Sequence, residues 1–359
     1  MPLPHALNRR SSVVALVTLL AVLCTLAVPV TTGAAASAAT PAPARKVTAW
    51  LPWWDQARAY ESFLRNADLY SSVSPFWYEM SSTGGVVGYP GAGEVRIVTG
   101  IRSAGVRVVP TITNDFDPVR VGAMLSTARK RAAHVKVLTA LAAARNYDGL
   151  DIDYENLAAT DRNRYSAFIT ELAAALHRSG RILTVAVHPK TSEPGSWSGP
   201  QAQDYAALGK AADRLRVMAY DYSWATSPAG PVAPIAWVAD VAAFAARTVG
   251  PAKVELGVPL YGYDWVGNRG AGLTHESAVQ LMRTHGATRT WNEAAAEASF
   301  TYSAGGASHT VWYSDAASVS ARLALVDRYG LSGAAFWRLG GEDPAVWSAV
   351  RSRWPAPAR

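Results

Sequence analysis

The segment YDGLDIDYEN at residues 147–156 places four acidic residues among apolar ones, at Asp148, Asp151, Asp153 and Glu155. A β-strand points successive side chains to opposite faces, so the last three of these acids share one face. Alternate residues lie ~6.6 Å apart, and at an effective dielectric constant of about 20 two neighbouring carboxylates repel by about 2.5 kcal/mol. Such a row is expected to retain a proton near neutral pH, which is what a general acid needs.

Two other interpretations of the acidic row remain open. Hard cations bind carboxylates, so one is a divalent-metal site, although no histidine is nearby and one strand rarely supplies a whole coordination shell. The other is a solvated turn, which the apolar residues Leu150, Ile152 and Tyr154 disfavour. We therefore predict catalysis, with no metal and no cofactor. Asp148 is out of phase with the other acids and is predicted to have a supporting role.

Eight β-branched or aromatic runs, separated by helical patterns, recur along the chain. They are VTAWLPW (47–53), LYSSVSPFW (69–77), VRVVPTIT (106–113), GLDIDYE (149–155), ILTVAVH (182–188), LRVMAYDY (215–222), VELGVPLYG (254–262) and GAAFWRL (333–339). This alternation predicts an α/β fold, a (β/α)8 TIM barrel, with Glu155 at the strand end where barrel active sites lie. An open doubly wound sheet is the alternative, but LPWWDQ (51–56) lacks the glycines that usually follow its first strand.

The strand spacing is broken once, between the seventh and eighth runs. THESAVQLMRTHG (274–286) predicts a helix that begins at Thr274, and TRTW, ASFTYS and HTVWY predict short strands. GYDWVGNRGAG (262–272) is predicted to be a loop. We therefore expect a small α+β insertion at 264–315 between barrel strands 7 and 8, followed by a barrel helix at 318–330.

The first 39 residues have the order of a secretory signal peptide. Arg9 and Arg10 precede the apolar run VVALVTLLAVLCTLAVPV, and Ala-x-Ala cleavage sites lie near Ala36 and Ala38. An uncleaved membrane anchor is the rival interpretation, because the run is nearly long enough to span. We predict a signal peptide at 1–39, a linker at 40–46 and a catalytic barrel at 47–355. The protein is then expected to be secreted, either extracellular or associated with the cell wall.

Composition limits the chemistry and the partners. The one cysteine, Cys24, falls in the predicted signal peptide, so thiol nucleophiles, disulfides and cysteine metal sites are excluded from the mature protein. Without Arg9 and Arg10 the 34 Lys and Arg fall to 32, against 27 Asp and Glu, a net charge of +5 that suits an anionic wall. No basic block is interleaved with aromatic residues, so we expect no nucleic-acid partner. We also expect a monomer with no stable membrane association after cleavage.

The segment DGLDIDYE (148–155) resembles the Asp-Gly-x-Asp-x-Asp-x-Glu signature of glycoside hydrolase family 18. MAYD (218–221), LGVPLYG (256–262) and AAFWRLG (334–340) are similar to the family's sixth, seventh and eighth strands. SPFWYEM, GPVAPIAWV, GVPLYGYDW and HTVWYSDAAS resemble its bacterial branch of spore-germination and cortex-lytic N-acetylglucosaminidases. The third strand, VVPTITN, departs from typical chitinases, which carry Ser-x-Gly-Gly there.

This resemblance implies retaining hydrolysis of a polysaccharide that contains N-acetylglucosamine, with the substrate's own acetamide oxygen as nucleophile. Glu155 would be the general acid, Asp153 would accept the acetamide N–H, and Asp151 would share a proton with Asp153. Tyr220 would hydrogen-bond the acetamide. The predicted substrate-binding residues are Asp221, Met218, Trp337, Trp77, Asn114 and Tyr222, with a loop cap as an equal alternative for Asn114.

Two alternative functions remain. One is a sugar-binding lectin on the same barrel, which does not hydrolyse its ligand. The other is a true chitinase. The presence of Glu155 and both inner aspartates favours an enzyme.

Overall fold

The structure, a computed structural model, describes residues 45–355. The predicted signal peptide at 1–39, with Cys24, and most of the linker at 40–46 lie outside the described residues. Within 45–355, no helix has both the length and the apolar character that a membrane crossing requires.

The first half of the described chain alternates strands and helices. Its elements are β1 (Lys46–Pro52), α1 (Gln56–Arg65), β2 (Ser72–Met80), β3 (Val86–Gly88), α2 (Val95–Ser103), β4 (Arg107–Val108), β5 (Thr111–Thr113), α3 (Pro118–Leu125), α4 (Ala128–Ala144), β6 (Gly149–Asp153), α5 (Arg162–His177) and β7 (Ile182–Val187).

The second half continues the alternation and adds a group of antiparallel strands. Its elements are α6 (Ser198–Gln201), α7 (Tyr205–Ala211), β8 (Arg214–Val217), α8 (Ile235–Val249), β9 (Val254–Pro259), β10 (Tyr261–Val266), β11 (Arg269–Thr274), α9 (His275–His285), β12 (Thr290–Asn292), β13 (Glu297–Ala304), β14 (Ala307–Tyr313), α10 (Ala316–Arg328), β15 (Gly333–Trp337) and α11 (Ala345–Arg353). Single 3-10 turns occupy Trp53–Asp55, Ala159–Asp161 and Pro251–Lys253.

Eight parallel strands close into a barrel in the order β1, β2, β5, β6, β7, β8, β9, β15 and back to β1. This confirms the predicted (β/α)8 fold. The third predicted run is split into β4 and β5, and Pro110, which lacks an N–H to donate to a strand ladder, lies between them.

The acidic strand β6 is buried on both faces, as parallel barrel strands are. Leu150 faces the surrounding helices, and Tyr154, just past the strand, stacks on Phe168 of α5 with ring centroids 5.9 Å apart. Asp151 and Asp153 alternate with these residues and therefore point into the barrel lumen. The apolar outer face thus anchors the strand that carries the acids.

A five-stranded antiparallel sheet, in the order β11, β10, β14, β13, β12, lies between β9 and α10 in the chain. The helix α9 packs on it through an apolar cluster that includes Ala278 and Phe300. The hydroxyl of Thr274 accepts the N–H of Ser277 at the start of α9, and Gly286 ends the helix with a positive φ of 65°. The start and end of this helix agree with the prediction.

The prediction of a loop at 262–272 was wrong. These residues form most of the hairpin β10–β11, in which Val266 pairs with Arg269 across the two-residue turn Gly267–Asn268. The positive φ of Gly267, 59°, suits such a turn, and a Gly-Asn pair between strands is itself a hairpin signal. β10 also pairs with β14, and the backbone hydrogen bonds of this second pairing stabilise the strand although the segment is rich in glycine, which disfavours strands.

Candidate active site

A cavity of about 390 Å³ lies at the carboxyl ends of the barrel strands, within the usual size range of small-ligand sites. Six of the predicted site residues line it, namely Asp153, Glu155, Met218, Tyr220, Asp221 and Trp337. The other lining residues are Trp50, Trp53, Trp54, Phe76, Tyr89, Thr113, Asp115 and Phe116. Aromatic rings therefore make up much of the wall.

Asp151 lies below the cavity, is fully buried, and accepts hydrogen bonds on both carboxylate oxygens. Its Oδ2 accepts from the indole N–H of Trp50 at 2.8 Å and from the hydroxyl of Thr111 at 2.9 Å. Its Oδ1 accepts from the hydroxyl of Thr184 at 2.5 Å and lies 3.1 Å from Nη1 of Arg216. This carboxylate is held from four strands of the barrel.

Asp153, two residues further along the strand, is buried and has a different environment. Its Oδ1 has no hydrogen-bond partner among the described residues. Burial raises the pKa of Asp153 well above its usual value, and the charges of Glu155 and Asp151 raise it further, while Arg216 lowers it. Asp153 therefore holds a proton readily, and the residue lines the cavity.

Glu155 follows β6, and 17% of its side chain is exposed. Burial, with a contribution from Asp221, raises the pKa of Glu155 to about 7. Its backbone is held by Asn114, whose Oδ1 accepts the Glu155 N–H at 2.8 Å and whose Nδ2 donates to the Glu155 carbonyl at 2.9 Å. This carboxyl is positioned to donate a proton at neutral pH.

His188 lies beside Glu155, with its Nδ1 3.7 Å from the carboxyl Oε2. Burial lowers the pKa of His188 to about 4, so the ring is neutral at pH 7. Its Nε2 accepts the N–H of Asn156 at 3.4 Å, so the ring hydrogen is on Nδ1 and faces Glu155.

Asp221 lies across the cavity and has a positive φ of 58°. The hydroxyls of Tyr261 and Tyr263 both donate to its Oδ1, the second at 3.0 Å. Although its side chain keeps contact with solvent, the surrounding protein partly desolvates the carboxyl and raises its pKa. Burial also raises the pKa of Tyr220, so its phenol stays protonated and can donate a hydrogen bond.

Gly257 on β9 makes room for Tyr220. A Cβ at this position would lie 2.5 Å from the backbone oxygen of Val217 and 3.0 Å from the ring of Tyr220. The glycine in the segment LGVPLYG therefore has a steric role at the site.

Trp337 ends β15 and is the centre of an aromatic group. Its ring centroid lies 5.7 Å from that of Trp50 and 5.4 Å from that of Phe76, both edge to face. Trp54, which is 49% exposed, lies 6.3 Å from Trp337. The peptide bond from Trp337 to Arg338 is cis. The apolar face of a sugar ring can stack against such a surface.

The structure does not bring three of the predicted substrate-binding residues into this cavity. Trp77 is fully buried, and its indole N–H donates to Gln56. Phe76 lines the cavity instead, because it lies two residues after Ser74, which contacts the buried Arg216 on the inner face of the barrel. Tyr222 is 57% exposed and packs on Trp237 outside the cavity lining.

The third, Asn114, has its side chain fully buried against the backbone, so it adopts the loop-cap alternative rather than lining the cavity. Asp148 also supports backbone, because its Oδ2 accepts the N–H of Val108 on β4.

Several residues that shape the site were missed in the sequence. Trp50 on β1 and Arg216 on β8 reach Asp151 across the barrel lumen, from strands that do not pair with β6. Phe76 lines the cavity, and the hydroxyls of Tyr261 and Tyr263 donate to Asp221. Arg216 lies two residues before Met218 and therefore points to the same inner face, so its inward position could have been predicted from the sequence.

Metal binding was the alternative use of the acidic row. Within residues 45–355, no group of three or more histidine, cysteine or acidic side chains is arranged to hold a metal ion. In place of a cation, Arg216 lies against Asp151.

Comparison with known proteins identifies the family. The profile of Glycosyl hydrolases family 18 matches residues 65–342, well over half of the chain. A protein of Bacillus subtilis named as a sporulation-specific glycosylase, YdhD, is 31% identical over 77% of this chain and 68% of its own length. The cortical fragment-lytic enzyme of the same organism is 32% identical over 57% of this chain, and the match spans about half of that enzyme, 49%.

Solved structures agree with this result. The chitinase of Chromobacterium violaceum is 28% identical and superimposes with a TM-score of 0.81 over 88% of this chain and 100% of its own. The Bacillus cereus spore cortex-lytic enzyme SleL has a TM-score of 0.79 over 86% of this chain and 74% of its own. At 22% identity, SleL supports the fold alone.

Proposed function

The chain belongs to glycoside hydrolase family 18 and is a glycoside hydrolase, and from this premise we propose that it cleaves β-linked N-acetylglucosamine in a polysaccharide by substrate-assisted, retaining catalysis. One observation carries the proposal. Glu155, with a pKa of about 7, lies two residues after the buried Asp153, and both residues line the same aromatic cavity.

In this mechanism Glu155 donates its proton to the glycosidic oxygen as the bond to the leaving sugar breaks. The acetamide oxygen of the substrate attacks the anomeric carbon and forms an oxazolinium ion. Asp153 accepts the acetamide N–H and stabilises the positive charge, and Tyr220 donates its hydroxyl hydrogen to the acetamide. Glu155, now a carboxylate, removes a proton from the water that opens the ring.

The remaining cavity residues bind the sugar. Trp337 supplies a flat surface for the apolar sugar face, with Trp54 and Phe76 at its edges. Asp221, held by two tyrosine hydroxyls, accepts a sugar hydroxyl, and Met218 fills the space beside it.

For the substrate, we propose bacterial cell-wall glycan in preference to crystalline chitin. The similarity to a cortical fragment-lytic enzyme supports this choice, as does the absence of Ser-x-Gly-Gly from the third strand. The likeness to the Chromobacterium chitinase favours the second candidate, a chitinase.

Digestion of purified peptidoglycan and of colloidal chitin, side by side at matched reducing-end concentration, separates the two candidates by mass analysis of the products. We expect faster release of soluble fragments from peptidoglycan, with new N-acetylglucosamine reducing ends. Faster release from chitin would assign a chitinase. Binding without hydrolysis of either polymer, or of a chromogenic N-acetylglucosaminide, would assign a lectin.

We also propose that the protein acts outside the cytoplasm as a monomer. The apolar run behind Arg9 and Arg10, followed by Ala-x-Ala sites, supports export. Size-exclusion chromatography with light scattering tests the monomer.

A further inference from the structure

A second, smaller cavity lies beside the catalytic one. Tyr261, Tyr263 and Leu273 of the hairpin β10–β11 line one side of it, and Trp337 and Arg338 line the other. Its volume is about 280 Å³. Sites that hold a whole small ligand usually measure about 300–1,000 Å³, so this cavity suits a substituent of a larger ligand.

Three contacts show that the two cavities are neighbours. Trp337, the proposed sugar platform, lines both of them. Tyr261 lines the second cavity, and its hydroxyl donates to Asp221, which lines the first. The guanidinium Cζ of Arg338 lies 5.8 Å from the ring centroid of Trp54, which also lines the first cavity. A group attached to a sugar chain in the first cavity is therefore close to the second.

The second cavity has one charged wall. Of the described residues that line it, only Arg338 has a charged side chain, and 19% of that side chain is exposed. A small cavity with a single cation and no acid in its lining favours an anion over a cation or a neutral group.

The protein anchors one nitrogen of this guanidinium and leaves two without partners. Nη1 of Arg338 donates to Oδ2 of Asp55 at 2.9 Å and to the carbonyl oxygens of Leu339 and Gly340 at 3.1 and 3.2 Å. Asp55 also accepts from Arg58, so two cations share its negative charge. Within residues 45–355, Nε and Nη2 of Arg338 donate to no protein group. Two N–H edges of one planar guanidinium are what a carboxylate needs for a bidentate contact.

We propose that the second cavity is a binding site for a carboxylate borne by the polysaccharide, and that Arg338 receives this carboxylate. The inference rests on the proposed function and gives a physical cause for the proposed preference for cell-wall glycan. In that glycan N-acetylglucosamine alternates with N-acetylmuramic acid, which carries a lactyl carboxyl group. In the intact wall this group is joined to a stem peptide that has carboxylates of its own. Chitin carries neither group.

Arg338 also holds Asp55 in place, so a loss of activity alone does not establish this role. The readout that separates the two roles is the ratio of kcat/KM on a glycan with free carboxylates to kcat/KM on the same glycan with its carboxyl groups converted to methylamides. A residue with only a structural role changes both values together and leaves the ratio unchanged. A residue that binds the carboxylate changes the ratio.

Two pairs of substrates distinguish the two sources of the carboxylate. The first pair is peptide-free glycan strands, with the lactyl carboxyl group free or as a methylamide. The second is soluble peptidoglycan fragments that keep their stem peptides, with the peptide carboxyl groups free or as methylamides. The wild type is expected to prefer the free carboxylate by about 10- to 100-fold, a typical contribution of hydrogen bonds to a charged group. A preference in the first pair assigns the lactyl group, and one in the second pair assigns the stem peptide.

A pair of matched variants tests the role of Arg338. Arg338→Gln is expected to bring the ratio close to one. The control is Arg58→Gln, which removes the other cation from Asp55 but does not line the second cavity, and it is expected to keep the wild-type ratio. Equal wild-type rates within both pairs, or a preference that Arg338→Gln retains, overturn the inference. Loss of the preference in both variants also overturns it, because the preference then depends on Asp55 and not on contact with Arg338.

Binding separates this inference from the proposed function. Calorimetric titration of Glu155→Gln and of Glu155→Gln/Arg338→Gln with the same glycans requires no turnover. The first protein is expected to bind the free carboxylate form about 10- to 100-fold more tightly than the methylamide, and the second is expected to bind both forms equally. If the wild type hydrolyses none of the glycans, the proposed function fails, and the affinities still decide the inference. Equal affinities in Glu155→Gln, or no binding of either form, overturn it.

Discussion

Glu155 owes its acidity to its position at the edge of the barrel. It is buried enough for its pKa to rise to about 7, yet part of its side chain faces the cavity where a glycosidic oxygen would lie. Asp151, on the same strand, has the opposite environment, with four donors around it. Two carboxyl side chains on one strand therefore have different roles because their surroundings differ.

The pKa of Glu155 predicts a pH profile. The general acid must be protonated, and a group with a pKa of about 7 loses its proton as the pH rises through 7. Hydrolysis is therefore expected to fall on the alkaline side of neutrality, by about tenfold per pH unit well above the pKa. Glu155→Gln is expected to lose about 10²- to 10⁴-fold in kcat and to keep ligand affinity.

Rates measured from pH 4 to pH 10 on a soluble substrate check this prediction, and calorimetric ligand titration of the variant checks binding. A variant with more than a tenth of the wild-type rate would place the acid elsewhere.

Asn114 allows a test of positioning. Its amide holds the backbone of Glu155 from both sides and does not border the cavity. Asn114→Ala is therefore expected to lower kcat by about 10- to 100-fold, because a small displacement of the acid is costly, and to leave KM nearly unchanged. A rise in KM with unchanged kcat would mean that Asn114 contacts the substrate after all.

At the scale of elements, a buried ion pair joins the antiparallel sheet to the barrel helices. Arg322 of α10 contacts Glu297 of β13 at 2.8 Å, and Glu297 accepts the backbone N–H groups of Val232 and Ala233 ahead of α8. Both side chains are about 1% exposed, so neither charge is solvated. The pair therefore holds three elements together.

Loss of one partner is expected to leave a buried charge. Arg322→Met should lower the free energy of unfolding by about 3–5 kcal/mol, measured by urea denaturation. Arg322→Met/Glu297→Gln removes the charge and keeps an acceptor for one of the two backbone N–H groups, so it is expected to recover part of that loss. A double variant no more stable than the single one would contradict this account.

At the scale of the whole molecule, alternation along the chain was sufficient to predict the barrel and the inward row of Asp151, Asp153 and Glu155. The choice of Trp77 as a site residue was wrong, although alternation favours Phe76, which lies two residues after the inward-facing Ser74. Periodicity could not show contacts between strands distant in the chain, such as that of Arg216 with Asp151. Such contacts depend on barrel stagger, which the sequence of one strand does not encode.

Export is a prediction for the whole chain. Expression of the full sequence in a secreting bacterial host is expected to yield a protein in the medium or wall fraction whose N-terminus follows Ala36 or Ala38, because signal peptidase cuts after such small residues. N-terminal sequencing and fractionation check this. Retention of the uncleaved chain in the membrane would favour the anchor interpretation.

The central claim is that the acetamide of the substrate takes part in the reaction, and one comparison tests it most directly. Wild-type kcat/KM is measured on the fluorogenic β-glycosides of di-N-acetylchitobiose and of cellobiose, which have the same linkage and leaving group and differ in the acetamide. The account predicts turnover of the first and at least ~10³-fold slower turnover of the second, because the glucoside offers no nucleophile and no N–H to Asp153. Comparable rates on the two substrates would contradict it.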